Sequence, residues 1–146
     1  MIVTDFMLSP KQKAQKYWLG FLGKTMIECE KQFNWVKFNL EGNRLKGIGT
    51  LREEGKNFKF TILYSPFYEY RFDRIYVETK DLIKSLDTHM YDNDTLCLYH
   101  PINDLKGRQY IDLVDILPWI SEWVYYYCQY LKYKVWLGPE HPHNFK

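Results

Sequence analysis

Residues 33–64 read FNWVKFNLEGNRLKGIGTLREEGKNFKFTILY, and this stretch decides the fold. Apolar and polar residues alternate along it, the period of a strand with one buried face. Val36, Phe38 and Leu40 fall on one side of the first run. EGN at 41–43 turns the chain into RLKGIGTL, and REEG at 52–55 turns it again. In the third run Phe58, Phe60, Ile62 and Tyr64 share a face. Pro66 has no amide hydrogen and ends that ladder. RFDRIYVET, residues 71–79, supplies a fourth strand with Ile75 and Val77 inward. Parallel strands would need long crossovers, so such short turns predict a four-stranded antiparallel meander.

Helices flank the meander on both sides in sequence. SPKQ offers Ser9 as N-cap, Pro10 at the first helical position and Gln12 as the partner of a capping box. Ala14, Tyr17, Trp18, Phe21 and Leu22 then recur at helical spacing and predict one apolar face. Lys11, Lys13 and Lys16 fall largely off it, as a solvated surface or a docking patch. At the other end Ile116, Ile120, Trp123, Val124, Tyr127 and Leu131 predict a last helix, with Pro118 expected to split off a short lead-in. Its tyrosines exceed what one buried face requires, so they fit a thick aromatic core or a contact with a second protein. The fold class is α+β: N-terminal helix, antiparallel meander, an irregular segment, C-terminal helix.

With 146 residues the chain is expected to form a single domain over 1–146. A net charge of +2 argues against a nucleic-acid binder. Three cysteines without paired spacing suit reduced thiols and a cytoplasmic location. The start lacks the pattern of a signal peptide, and no run is long enough for a membrane span, so no membrane is expected. A Gly-rich phosphate loop is also missing, so the chain is not expected to adenylate a carboxylate itself.

Between the meander and the last helix lies THMYDNDTLCLYHP, residues 88–101. Cys97 sits there between two leucines, with His89 upstream and His100 downstream. Three roles are open to it. Free cysteine is often a small buried hydrophobe, the reading taken for Cys29 and Cys128. CLYH and the HPH of His141 and His143 are spaced as zinc half-sites, but no second cysteine lies nearby. A nucleophile needs a reachable sulfur and a donor for the developing oxyanion. His89, eight residues upstream, can be that donor or simply a brace for the turn.

The order of elements, with SPFYEYRFDRIYVET leading into TLCLY, resembles the ubiquitin-conjugating enzyme family. HMYDNDTLCLYHP, ILPWISEWVYYY and WLGPEHP resemble more closely a bacterial branch: the stand-alone proteins of cyclic-oligonucleotide-based antiphage signalling (CBASS) operons. In the eukaryotic relatives an asparagine stands eight residues before the nucleophile; here that place is held by His89. Asp94 stands where the turn has a glycine, which asparagine or aspartate tolerates at some cost. The resemblance implies a ubiquitin-conjugating-enzyme-like fold and a cysteine-dependent transferase in antiphage defence. Cys97 would hold a partner's C-terminus as a thioester and pass it to an amine of a protein acceptor. The implied partner is a cGAS-like nucleotidyltransferase, a cyclic-nucleotide synthase. By the same resemblance the first helix, where eukaryotic relatives meet their activating enzyme, would meet that synthase instead. His89 would donate to the oxyanion, and Tyr91, Tyr99, His100 and His141 would shape the site. Neither a cofactor nor a metal is expected. The alternative is a non-catalytic adaptor of the same fold that binds the partner's tail.

Overall fold

A computed structural model describes residues 7–79, 82–83, 86–91, 93–99, 104–105, 107–108 and 110–138. The first helix, α1 (Pro10–Gln32), opens on the expected capping box. The Gln12 amide donates to the Ser9 hydroxyl at 3.2 Å, and the Ser9 amide donates to the Gln12 side chain at 2.8 Å. Two otherwise orphaned donors are satisfied reciprocally. Leu22, Thr25 and Cys29 are buried, with Trp18 and Phe21 half-buried beside them. The predicted apolar face is therefore too long. Ala14 and Tyr17 are exposed, because the surface under α1, the Phe72 and Tyr110 rings, is first met at Trp18.

Four strands follow: β1 (Val36–Glu41), β2 (Arg44–Glu53), β3 (Lys56–Tyr64) and β4 (Asp73–Glu78). They pair antiparallel in sequence order, as the meander predicts. Glu54 and Gly55 both take positive φ, 51° and 79°, so the β2–β3 turn has the twist that hairpins favour. The register puts Val77 opposite Phe60, Ile75 opposite Ile62 and Asp73 opposite Tyr64. All six side chains lie on the buried face. Leu40 departs from expectation. It points the same way as its partner Leu45, yet is 43% exposed, because β1 is an edge strand and its last residues lie beyond the helical cover.

The last helix, α2 (Leu113–Tyr133), covers that face with Ile116, Ile120, Trp123, Val124 and Tyr127. Pro118 does not split it. A proline inside a helix forfeits one ladder bond and costs about 3 kcal/mol. Here Leu113, Ile116 and Leu117, all fully buried, hold the lead-in turn against the core and offset that cost. The Tyr64 hydroxyl, deep in the core, donates to the Ile111 carbonyl at 2.8 Å and ties β3 to the entry of α2. Neither helix is long and apolar enough to cross a membrane.

The assignment of faces is tested by paired substitutions read by urea unfolding. Phe60→Ala, at a fully buried position, is expected to cost roughly 3–5 kcal/mol. Ile48→Ala, at a position 48% exposed, is expected to cost less than about 1 kcal/mol. Equal losses would contradict the register.

Candidate functional site

The segment around Cys97 is an extension of the sheet. The Leu96 amide donates to the Ile75 carbonyl at 2.9 Å, and Thr95 bridges to Tyr76, so this strip lines up along the outer edge of β4. It then folds back on itself. Met90 bridges to Leu96, and the Tyr91 amide donates to the Thr95 carbonyl at 2.8 Å. The turn closes with the Asp94 amide on the Tyr91 carbonyl at 3.0 Å. Asp94 takes φ 67°, a left-handed geometry that aspartate tolerates better than most L-residues. Asn93 braces the turn, its side-chain oxygen accepting from the Thr95 hydroxyl at 2.6 Å. This hairpin sets Cys97 against His89, and the Cys97 amide donates to the His89 carbonyl at 2.8 Å.

Upstream of His89, two aromatic side chains of α2 hold the chain. The Trp123 indole N–H donates to the Thr88 carbonyl at 2.8 Å. The Tyr127 hydroxyl accepts from the Ile83 amide at 2.9 Å, and the Thr88 hydroxyl donates to the Ile83 carbonyl at 2.8 Å. The 3₁₀ turn Leu86–Thr88 ends on the anchored Thr88, directly before His89. His89 takes φ 55°, a conformation costing about 1–2 kcal/mol for an L-residue. Its ring is buried and packs on Trp136, centroids 4.6 Å apart.

A polar cluster lies on the other side of Cys97. The Tyr91 hydroxyl hydrogen-bonds the Cys97 sulfur. The Arg71 guanidinium sits 4.4 Å over the Tyr91 ring and donates to the Thr95 hydroxyl at 3.3 Å. Its other neighbour is Asp73 at 4.0 Å, and the Tyr99 hydroxyl donates to the same carboxylate. Arg71 and Asp73 are both buried. Burial pushes the Asp73 carboxyl up, against the pull of Arg71 and the Tyr99 hydrogen bond. Burial also pushes the Cys97 thiol up, while the Tyr91 hydrogen bond and the Arg71 charge pull it back.

Cys97 is only 3% exposed, yet it lines a cavity of about 690 Å³. His89, Tyr99, Trp119, Trp123, Tyr126 and Trp136 supply much of the wall. Asp104, Asp115 and Glu122 line the cavity too, with Arg108 as a counter-charge. The cavity thus joins an aromatic wall beside the sulfur to a rim of acidic side chains.

The model of the family described as "Type II CBASS E2 protein" matches residues 25–144. The chain belongs to the CBASS E2 family. An E2 is a ubiquitin-conjugating-type protein, and the helix, four-stranded sheet and last helix agree with that fold. As a CBASS E2 the protein has an E2-like role in antiphage defence, with other CBASS proteins as partners. No curated protein matches the chain.

In this CBASS E2, Cys97, His89, Tyr91 and Tyr99 come together as expected, but in distinct positions. His89, Cys97 and Tyr99 line the cavity, and Tyr91 stands behind the sulfur. The Tyr99 hydroxyl is spent on Asp73. His100, His141 and His143 lie outside the described residues. Among those described, no group of three or more His, Cys, Asp or Glu side chains is placed to hold a metal. Cys29 and Cys128 are core residues, and burial pushes the Cys29 thiol up to about 12. Arg71, Asp73, Thr95 and Trp136 were missed by sequence reasoning. Asp73 had a signal: it precedes Ile75 and Val77 by even steps and so shares their inward face.

The raised thiol sets a pH dependence. Thiolate is the reactive form, and below the pKa its fraction rises about tenfold per pH unit. Alkylation of Cys97 by iodoacetamide is therefore expected to climb from pH 7 to 9 without a plateau. Peptide mass spectrometry follows the site, and Cys29 should stay unlabelled in the native protein. A plateau near neutral pH would contradict the geometry.

Proposed function

We propose that this CBASS E2 is a cysteine-dependent transferase in which Cys97 carries the C-terminus of a partner protein as a thioester. The supporting observation is the Cys97 sulfur at the wall of an aromatic cavity, held by backbone to His89 on one side and by the Tyr91 hydroxyl on the other. The partner in this reading is a cGAS-like nucleotidyltransferase, as the family resemblance implies. The tail arrives activated, as a thioester or acyl adenylate made by a separate activating protein. The Cys97 thiolate attacks the acyl carbon, a C–S bond forms, and the activating thiolate or AMP leaves. A neutral amine of the acceptor then attacks the same carbon. The Cys97 thiolate leaves, the nitrogen loses a proton to solvent, and an amide remains. The His89 imidazole donates to the oxyanion formed in each attack.

A raised thiol is compatible with this chemistry. A stored thioester must resist water yet yield to a positioned amine, so shielding by the cavity counts as much as thiolate character.

Intact mass of the chain co-expressed with its operon partner tests the reading. A reductant-sensitive adduct cleaved by hydroxylamine is expected on the wild type and not on Cys97→Ala. His89→Ala should slow loading and transfer alike, each by roughly 10²–10³-fold. A stable non-covalent complex with no adduct would replace the transferase by an adaptor that binds the tail.

A further inference from the structure

We infer that Arg71 is a positioning residue for the Cys97 sulfur, acting through the ring and hydroxyl of Tyr91. The inference rests on Cys97 being the reacting group. A guanidinium keeps its charge when buried, and a buried cation needs a reason to be there. Arg71 is 7% exposed and its contacts run in three directions. It stacks on the Tyr91 ring at 4.4 Å, reaches the Thr95 hydroxyl at 3.3 Å and faces Asp73 at 4.0 Å. The first contact fixes the plane of the phenol whose hydroxyl meets the Cys97 sulfur. The second fixes Thr95, two residues before Cys97 in the same hairpin. One side chain therefore orients both the donor and the strip that presents the sulfur.

The electrostatics point the same way. Cation–π contact polarises the phenol, which strengthens its O–H as a donor to a thiolate. Opposing charges also face the sulfur. Asp73 of β4 and Asp104, upstream of α2, both disfavour the thiolate. Asp115 and Glu122 of α2 line the same cavity, with Arg108 across from them and the His89 ring beside Trp136. Arg108 is exposed and Arg74 half-buried, its guanidinium on the Arg71 and Asp73 carbonyls, whereas Arg71 is buried.

The test is the pH–rate profile of Cys97 alkylation in the isolated full chain, read on the Cys97 peptide, with far-UV circular dichroism as the check on folding. Tyr91→Phe keeps the ring and removes the hydroxyl, and is expected to slow alkylation at pH 8 by roughly three- to tenfold and displace the profile to higher pH. Arg71→Met should displace it in the same direction, and Arg71→Lys, which keeps the charge but not the flat fork, should fall between that and wild type. If Arg71→Met does not fold, Arg71→Lys and Tyr91→Phe still decide. A displaced profile in Tyr91→Phe with an unmoved one in the folded Arg71 variants would overturn the role of Arg71. The profile is carried above the thiol pKa, and a loss of rate that persists there, where the thiol is fully ionised, would also overturn it, as that reports altered access. No partner protein enters the measurement, so displaced profiles without any adduct on co-expression would sink the transferase reading alone.

Discussion

The Trp123 indole is the interaction on which the site depends. Its ring packs edge-on against Phe58 and Phe60 and stacks on Tyr127, so it helps to seal the inner face of the sheet. Its N–H meanwhile donates to the Thr88 carbonyl. Tryptophan suits such a place because a large apolar ring ends in one polar handle. Core packing and placement of the segment before His89 are thereby one event. The helix cannot cover the sheet in this way without also gripping the chain that leads to Cys97.

The hairpin beyond His89 needs this grip, because it is strained. Both His89 and Asp94 take left-handed φ, and neither is glycine. Together they cost about 2–4 kcal/mol at the usual rate for L-residues. Bonds from Leu96 to Ile75 and from Cys97 to His89 hold the conformation, as does the brace of Asn93 on Thr95. Strain kept at a site by the surrounding structure is a common way to pre-organise it.

Burial and charge then oppose one another around the sulfur. The thiol is pushed up by its surroundings, yet a buried arginine and a tyrosine hydroxyl pull it back. The Asp73 carboxyl beside them is pushed up by its own burial, against the pull of the same arginine. Burial among aromatic side chains strengthens each of these interactions relative to water.

Local rules in the sequence determined most of the fold. Alternation and short turns are properties of neighbouring residues, and they specified the meander, its inward faces and the Ser9 capping box. Where a single element meets its cover is not local, so Ala14, Tyr17 and Leu40 were misplaced and Pro118 was given too much weight. The candidate site divides in the same way. Cys97 and His89 were legible from a motif and a spacing of eight residues, and left-handed Asp94 from its place in the turn. Arg71, Asp73 and Trp136 became visible only in the folded chain. They reach the site from a loop, a strand and the segment after the last helix, and no pattern along the chain reports that approach. Tertiary structure decided it, because a buried charge is placed by the groups that compensate for lost water, and those lie far apart in sequence.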